Sequence, residues 1–254
     1  MTKIKQALIS VSDKKNLKSI LKVLKKFKIK IISSGGTFKE IRKLGYKCIE
    51  VSKFTSSSEL LEGRVKTLHP KIYAGILSKR NNKLHKKQML KNNYENIDLV
   101  IVNFYPFERI LEKTKNKKKI IENIDIGGPT LVRAAAKNYN DVTVVTSIEQ
   151  YNKLIEQLHK NKGSTNIEFR EKLSEEAFAE TAYYDSIVAN YFTGITKNNF
   201  PKKKLVYGNL IEKLRYGENP HQEAAISSIK KKLSLNKIGG RKLSYNNYND
   251  IFSA

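Results

Sequence analysis

Two glycine turns carry the residue types that handle anions. Ser34-Gly35-Gly36-Thr37 follows a short apolar run and opens a helical pattern. Glycines let the backbone approach a ligand closely, free N–H groups point outward at a helix start, and hydroxyls add donors. The same four residues also suit a plain strand-to-helix turn. Ser12 and Lys14, after the preceding apolar run, converge on this turn if the two runs are neighbouring strands, which tips the reading toward phosphate. The second turn, Asp125-Ile126-Gly127-Gly128-Pro129-Thr130, feeds a small-residue helix, Leu131-Val132-Arg133-Ala134-Ala135-Ala136-Lys137. A lysine held near apolar surface can titrate low and serve as an acid or base. From spacing alone, Lys137 more readily reads as a snorkelling surface lysine.

Between the turns lies Arg64-Val65-Lys66-Thr67-Leu68-His69-Pro70, where Arg64 and Lys66 project on one side of an extended segment. This suits an anion site or a basic surface loop equally well. Pro70 keeps His69 out of the helical region, and His69 by itself reads as structural. Asn103 and Tyr105 close another apolar run, and Cys48 reads as a small buried hydrophobe.

The elements that must position these residues alternate in kind. Ala7–Val11, Lys30–Ser33, Cys48–Val51, Leu99–Val102 and Asp141–Val145 are Val/Ile-rich strand candidates. Helical patterns separate them, the first capped by Ser12-Asp13 and carrying Leu17, Ile20, Leu21 and Leu24. This predicts an α/β fold with a doubly wound, mostly parallel sheet covered on both faces. Ligands then bind beyond the carboxyl ends of the strands, where the polar clusters fall. A helical extension follows, over Gln150–Lys160 and Asn166 to about Phe192. The polar, proline-bearing stretch Thr196–Lys204 breaks the pattern and predicts a boundary, with one domain over 1–196 and a short tail over 197–254. The tail has little to enclose and is expected to be partly disordered.

Composition bounds the rest. The 254 residues are 39% hydrophobic and 29% charged, enough to bury a core. One cysteine excludes an internal disulfide framework and a cysteine-based zinc site, and four histidines without a His-x-x-x-His pair argue against a metal. No run approaches the roughly 20 apolar residues that span a bilayer. The N-terminus has no secretory pattern, so a cytoplasmic location is expected. A net charge of +25 suggests an anionic partner, yet 41 of the 49 basic residues are lysines spread along the chain, in runs such as Lys117-Lys118-Lys119 and Lys230-Lys231-Lys232. Nucleic-acid readers more often concentrate arginine and interleave aromatics, so these lysines read as solvated surface.

Taken in order, Ser10-Val11-Ser12-Asp13-Lys14, Ser34-Gly35-Gly36-Thr37, Gly63 to Pro70, Asn103-Phe104-Tyr105-Pro106-Phe107, Ile124 to Gly128 and Arg133 to Lys137 together resemble one family over residues 1–196. It is the N-terminal IMP cyclohydrolase domain of the bifunctional AICAR formyltransferase/IMP cyclohydrolase enzymes of purine biosynthesis. Leu214 to Gln222, with Arg215 and Tyr216, and Leu243 to Asn247 resemble the opening of the formyltransferase domain. The resemblance implies a methylglyoxal-synthase-like fold. It also implies a hydrolase of the cyclic-amidine class that closes 5-formamidoimidazole-4-carboxamide ribotide (FAICAR) to inosine monophosphate (IMP), without metal or organic cofactor. Carried over residue by residue, the phosphate end matches Ser12, Lys14, Ser34, Gly36, Thr37 and Thr67, with Arg64 nearby, and the base end matches Lys66, Asn103, Tyr105, Asp125, Ile126 and Lys137. In that scheme Lys137 exchanges the proton, Asp125 orients or deprotonates the carboxamide, and Lys66 and Tyr105 stabilise the oxyanion.

The family's formyltransferase catalytic pair lies beyond position 254, so formyl transfer and folate binding are not expected. Family members form homodimers largely through that half, which leaves this chain monomeric or weakly dimeric. The competing expectations are a methylglyoxal synthase, a nucleotide-sensing module of the same fold, and a basic nucleic-acid binder; the motif set weighs against all three.

Overall fold

The structure, a computed structural model, describes residues 1–197, 199–229, 233, 235 and 238–253. In chain order the first elements are β1 (Thr2–Lys3), β2 (Gln6–Val11), α1 (Leu17–Lys26), β3 (Lys30–Ser33), α2 (Gly35–Lys43), β4 (Ile49–Glu50) and α3 (Val51–Thr55). After them come α4 (Pro70–Leu77), α5 (Lys83–Lys91), β5 (Leu99–Asn103), α6 (Phe107–Lys113), α7 (Lys117–Glu122) and α8 (Gly127–Lys137). The chain continues through β6 (Thr143–Val145), α9 (Tyr151–Lys160), β7 (Ser164–Thr165), α10 (Ile167–Thr196), β8 (Asn209–Lys213), β9 (Ala225–Ser228) and α11 (Tyr245–Ser253).

Five strands form one parallel sheet in the order β4-β3-β2-β5-β6. Strand β2 is central, with Ala7 opposite Ile31 on one side and Leu99 on the other. Ala7, Leu8, Ile9, Leu99 and Val100 are fully buried, as expected for strands covered on both faces. Right-handed crossovers put helices on opposite faces once the strand order reverses. Helix α1 packs with α9, and α4 with α8. The reversal falls between β2 and β5, and in such sheets the crevice at the carboxyl ends of those two strands is the ligand site. The α/β, methylglyoxal-synthase-like expectation matches this architecture.

Three local expectations differ. Ser12-Asp13 does not cap α1: the helix starts at Leu17 after a turn in which Asp13 accepts the Lys15 N–H and Asn16 adopts a left-handed conformation. The turn uses up the residues that would have begun the helix. The third strand shrinks to Ile49–Glu50 because Val51 already starts α3. A two-stranded antiparallel pair, β1 with β7, was not legible, since two residues carry no periodicity.

The chain divides into two compact units, Met1–Tyr184 and Asp185–Ala254. The sequence break at 197–204 marks where α10 ends, while the division in packing falls inside that helix. In the second unit the described residues include regular elements. Strands β8 and β9 pair antiparallel, with Asn209 opposite Ser228 and Lys213 opposite Ala225. The Tyr245 N–H donates to the Tyr216 carbonyl, the Arg215 N–H to Leu243, and Tyr248 is buried on α11. Backbone pairing and one buried aromatic give the tail order that its apolar content alone did not forecast. The Lys230-Lys231-Lys232 run lies outside the described residues. Among the described residues no helix is long and apolar enough to cross a membrane.

Candidate active site

At the switch point the first task is to hold two strand ends together. The Asn103 side chain, at the end of β5, does this with both its polar atoms. Its Oδ1 accepts the Ser12 and Asp13 N–H groups at 2.6 and 2.9 Å, and its Nδ2 donates to the Asp13 carbonyl at 3.0 Å. Thr37 performs the same service one strand over: its buried hydroxyl accepts from the Val11 N–H and donates to the Val11 carbonyl, both at 3.0 Å. The loop carrying Ser12 and Lys14 is therefore fixed against the start of α2. Ser34 is the N-cap of that helix, extended and without a side-chain capping bond. The first-turn N–H groups of α2 have no intrahelical acceptor and concentrate positive potential. Gly35 lies in the left-handed region (φ +52°), and a Cβ there would meet the Lys66 Nζ at 2.8 Å. At Gly36 a Cβ would lie 3.8 Å from the Lys14 Nζ. Two ammonium groups thus stand over the two glycines that start one helix. Serine hydroxyls, free amides and paired lysines are the donor set for a phosphate.

The second glycine turn presents a carboxylate. The Asp125 Oδ1 accepts the Gly128 N–H at 2.8 Å, folding the carboxyl back over the start of α8. Burial raises its pKa above the ordinary carboxylate value, while the Gly128 and Tyr105 amides pull it partly back. The Asp125 N–H donates to the buried Tyr184 hydroxyl at 2.7 Å. Tyr105 and Ile126, the latter next to Asp125 in the chain, are both exposed. The two turns meet through one dipeptide: Lys66 lies against Gly35, and the buried Thr67 hydroxyl would be 3.0 Å from a Cβ at Gly127. Two helix starts, two lysines and one carboxylate with raised pKa are therefore linked through one dipeptide.

Several residues fall elsewhere than the carried-over scheme had them. Lys66 touches the α2 turn and pairs with Glu59 at 2.8 Å, and Thr67 touches the α8 turn, so the dipeptide lies between the two turns. Arg64 is exposed and paired with Glu122. Asn103 and Thr37 shape the site through backbone groups and have their side chains engaged. Lys137 is not brought to Asp125 within one copy of the chain. It is the exposed last residue of the 11-residue α8, about 15 Å of helix from Gly127, where a cation complements the C-terminal dipole. His69 caps α4, its Nδ1 accepting the Lys71 N–H, in keeping with a structural reading. Cys48 is half-buried against the core, and burial pushes its thiol up to about 12. Sequence reasoning missed Tyr184 and Glu59; the first lay inside a long helical pattern and the second in a loop without a motif. Among the described residues no cluster of three or more His, Cys, Asp or Glu could hold a metal.

Sheet order and crevice together define an α/β domain of the methylglyoxal-synthase type, and the description "MGS-like domain" matches residues 16–130. The description "AICARFT/IMPCHase bienzyme" matches residues 135–254. The two matches together run through most of the chain, which is similar to this bienzyme family along both segments. The bifunctional purine biosynthesis protein PurH of Bradyrhizobium diazoefficiens is 43% identical over 256 residues, covering 99% of this chain and 48% of that protein. PurH of Lactobacillus acidophilus is 46% identical over 257 residues, covering 99% and 50%. The chain thus spans about half the length of these curated relatives. The crystal structure of ForH superposes with a TM-score of 0.67 at 28% identity, over 74% of this chain and 99% of that one.

Proposed function

We propose that this chain is an IMP cyclohydrolase that closes FAICAR to IMP with loss of water. The observation that carries this reading is the convergence of a helix start with two lysines and a half-buried carboxylate with raised pKa through the Lys66-Thr67 dipeptide. The ribotide phosphate takes the α2 start, with Ser12, Ser34, Lys14 and the Gly36 backbone around it. The imidazole lies across Tyr105 and Ile126. The Asp125 carboxylate then faces the carboxamide.

Closure is intramolecular, so holding the carboxamide nitrogen against the formyl carbon supplies much of the acceleration. Asp125 takes a proton from the carboxamide nitrogen as that nitrogen bonds to the formyl carbon, and the formyl oxygen becomes a hydroxyl. The adjacent ring-substituent nitrogen then loses its proton as the hydroxyl leaves as water, which balances the reaction. The Lys66 ammonium, at the crossing of the two turns, offsets negative charge developing on the oxygen. The proton-exchange role of Lys137 has no support from the geometry of one copy.

The same proposal covers a cofactor-free step, a cytoplasmic site of action, and purine ribotides rather than nucleic acid as partners. The test is conversion of FAICAR to IMP by the purified chain, before and after dialysis against a chelator. Turnover unaffected by the chelator is expected. Methylglyoxal from dihydroxyacetone phosphate in place of IMP, or nucleotide binding without turnover, overturns the reading.

A further inference from the structure

The carboxylate at the α8 start is supported by a side chain from outside both glycine turns. Tyr184 lies well along α10, is 5% exposed, and accepts the Asp125 N–H at 2.7 Å. Its ring meets Phe104 edge-on at 5.2 Å and Phe107 at 6.1 Å between centroids. These two phenylalanines bracket Tyr105, whose backbone amide faces the Asp125 carboxyl. One tyrosine therefore touches both segments that surround the carboxylate. Its hydroxyl fixes the backbone of the residue, and its ring fixes the loop whose Tyr105 amide favours the charged carboxyl.

We propose that Tyr184 is the positioning residue of the Asp125 carboxylate, locking its backbone and the Tyr105 amide in one arrangement relative to the bound base. Its place on α10 makes the helical extension part of the active site, although it touches no substrate. The inference rests on the cyclohydrolase reading for its kinetic arm only. A small displacement of a reacting group is costly because the acceleration comes from alignment. Removing an acceptor from a half-buried N–H also leaves that donor to seek another partner by moving.

The test is Tyr184→Phe in the full chain, which keeps the ring against Phe104 and Phe107 and deletes only the hydroxyl. Expected is a kcat lowered about 10- to 100-fold with KM changed by less than about 2-fold, since the phosphate end is untouched. The Asp125 carboxyl, followed by side-chain carbon NMR, is expected to titrate higher than in the wild type, because its amide donors are less well aimed. The NMR titration needs no turnover, so it judges the positioning role even if the wild-type chain closes no ring. An unmoved Asp125 titration, or a kcat loss that merely tracks the unfolded fraction in a thermal melt, overturns the proposal.

Discussion

Asp125 is the residue on which the proposed chemistry turns, and its environment pulls in two directions. Burial disfavours the charged form, and the amides of Gly128 and Tyr105 favour it; burial dominates, leaving the pKa above the ordinary carboxylate value. A base must be ionised to act, so the rate should rise with pH through that raised value and level off above it. A pH profile of kcat/KM for FAICAR closure should therefore show an acidic limb above the usual aspartate range. Asp125→Asn, which cannot take the proton, should lose at least about 100-fold in kcat and abolish the limb. Asn103 illustrates the opposite lesson at this scale. A polar residue at a strand's carboxyl end reads as a ligand contact, yet its amide is committed to the Ser12-Asp13 backbone, and it serves the site by fixing that loop.

At the scale of elements, two helix starts do most of the work, and their glycines do different things. Gly36 stands in ordinary contact distance of Lys14, whereas a Cβ on Gly128 would lie 2.5 Å from the Asp125 Oδ2. Gly36→Ala should fold as well as the wild type, within about 0.5 kcal/mol, because Ala suits a helix start. It should still raise KM by filling the space a phosphate needs. Gly128→Ala must push the carboxylate aside, so its loss should appear in kcat. Steady-state kinetics on the two variants, beside their melting temperatures, separates the roles; equal effects on KM would count against the division of the crevice into a phosphate end and a carboxylate end. Helix α8 also explains why Lys137 is far from Asp125. One helix connects them, and its length keeps its two ends apart.

Across the molecule, the α/β sheet and the helical extension depend on each other. Arg170, 3% exposed near the start of α10, donates to the carbonyls of Tyr139, Asn140, Thr165 and Asn166. It ties the end of α8 and the strand β7 to the helix that also carries Tyr184. Arg170→Ala would orphan several buried carbonyls and should cost roughly 2–4 kcal/mol, read as a lower urea midpoint. A loss below about 0.5 kcal/mol would mean water replaces the guanidinium freely. Of the many lysines behind the net charge of +25, those of 117–119 are exposed, as a solvated surface requires.

The sequence by itself determined the local devices. Val/Ile runs gave the buried parallel strands, glycine turns gave the two helix starts, and Pro70 kept His69 extended, because each depends on neighbours within a turn or a strand. Motif order also carried the resemblance to the bienzyme family. Only the tertiary structure decided what those devices face. Strand order put Asn103 beside Ser12, across 91 residues of chain, and packing drew Tyr184 to Asp125, across 59. No local periodicity encodes such separations. The structure likewise decided that the Lys66-Thr67 dipeptide joins the two turns and that Lys137 lies at the far end of α8 from Gly127. Spacing fixes which side of an extended segment a residue takes and how far along a helix it lies, while the direction of the crevice is set by the sheet.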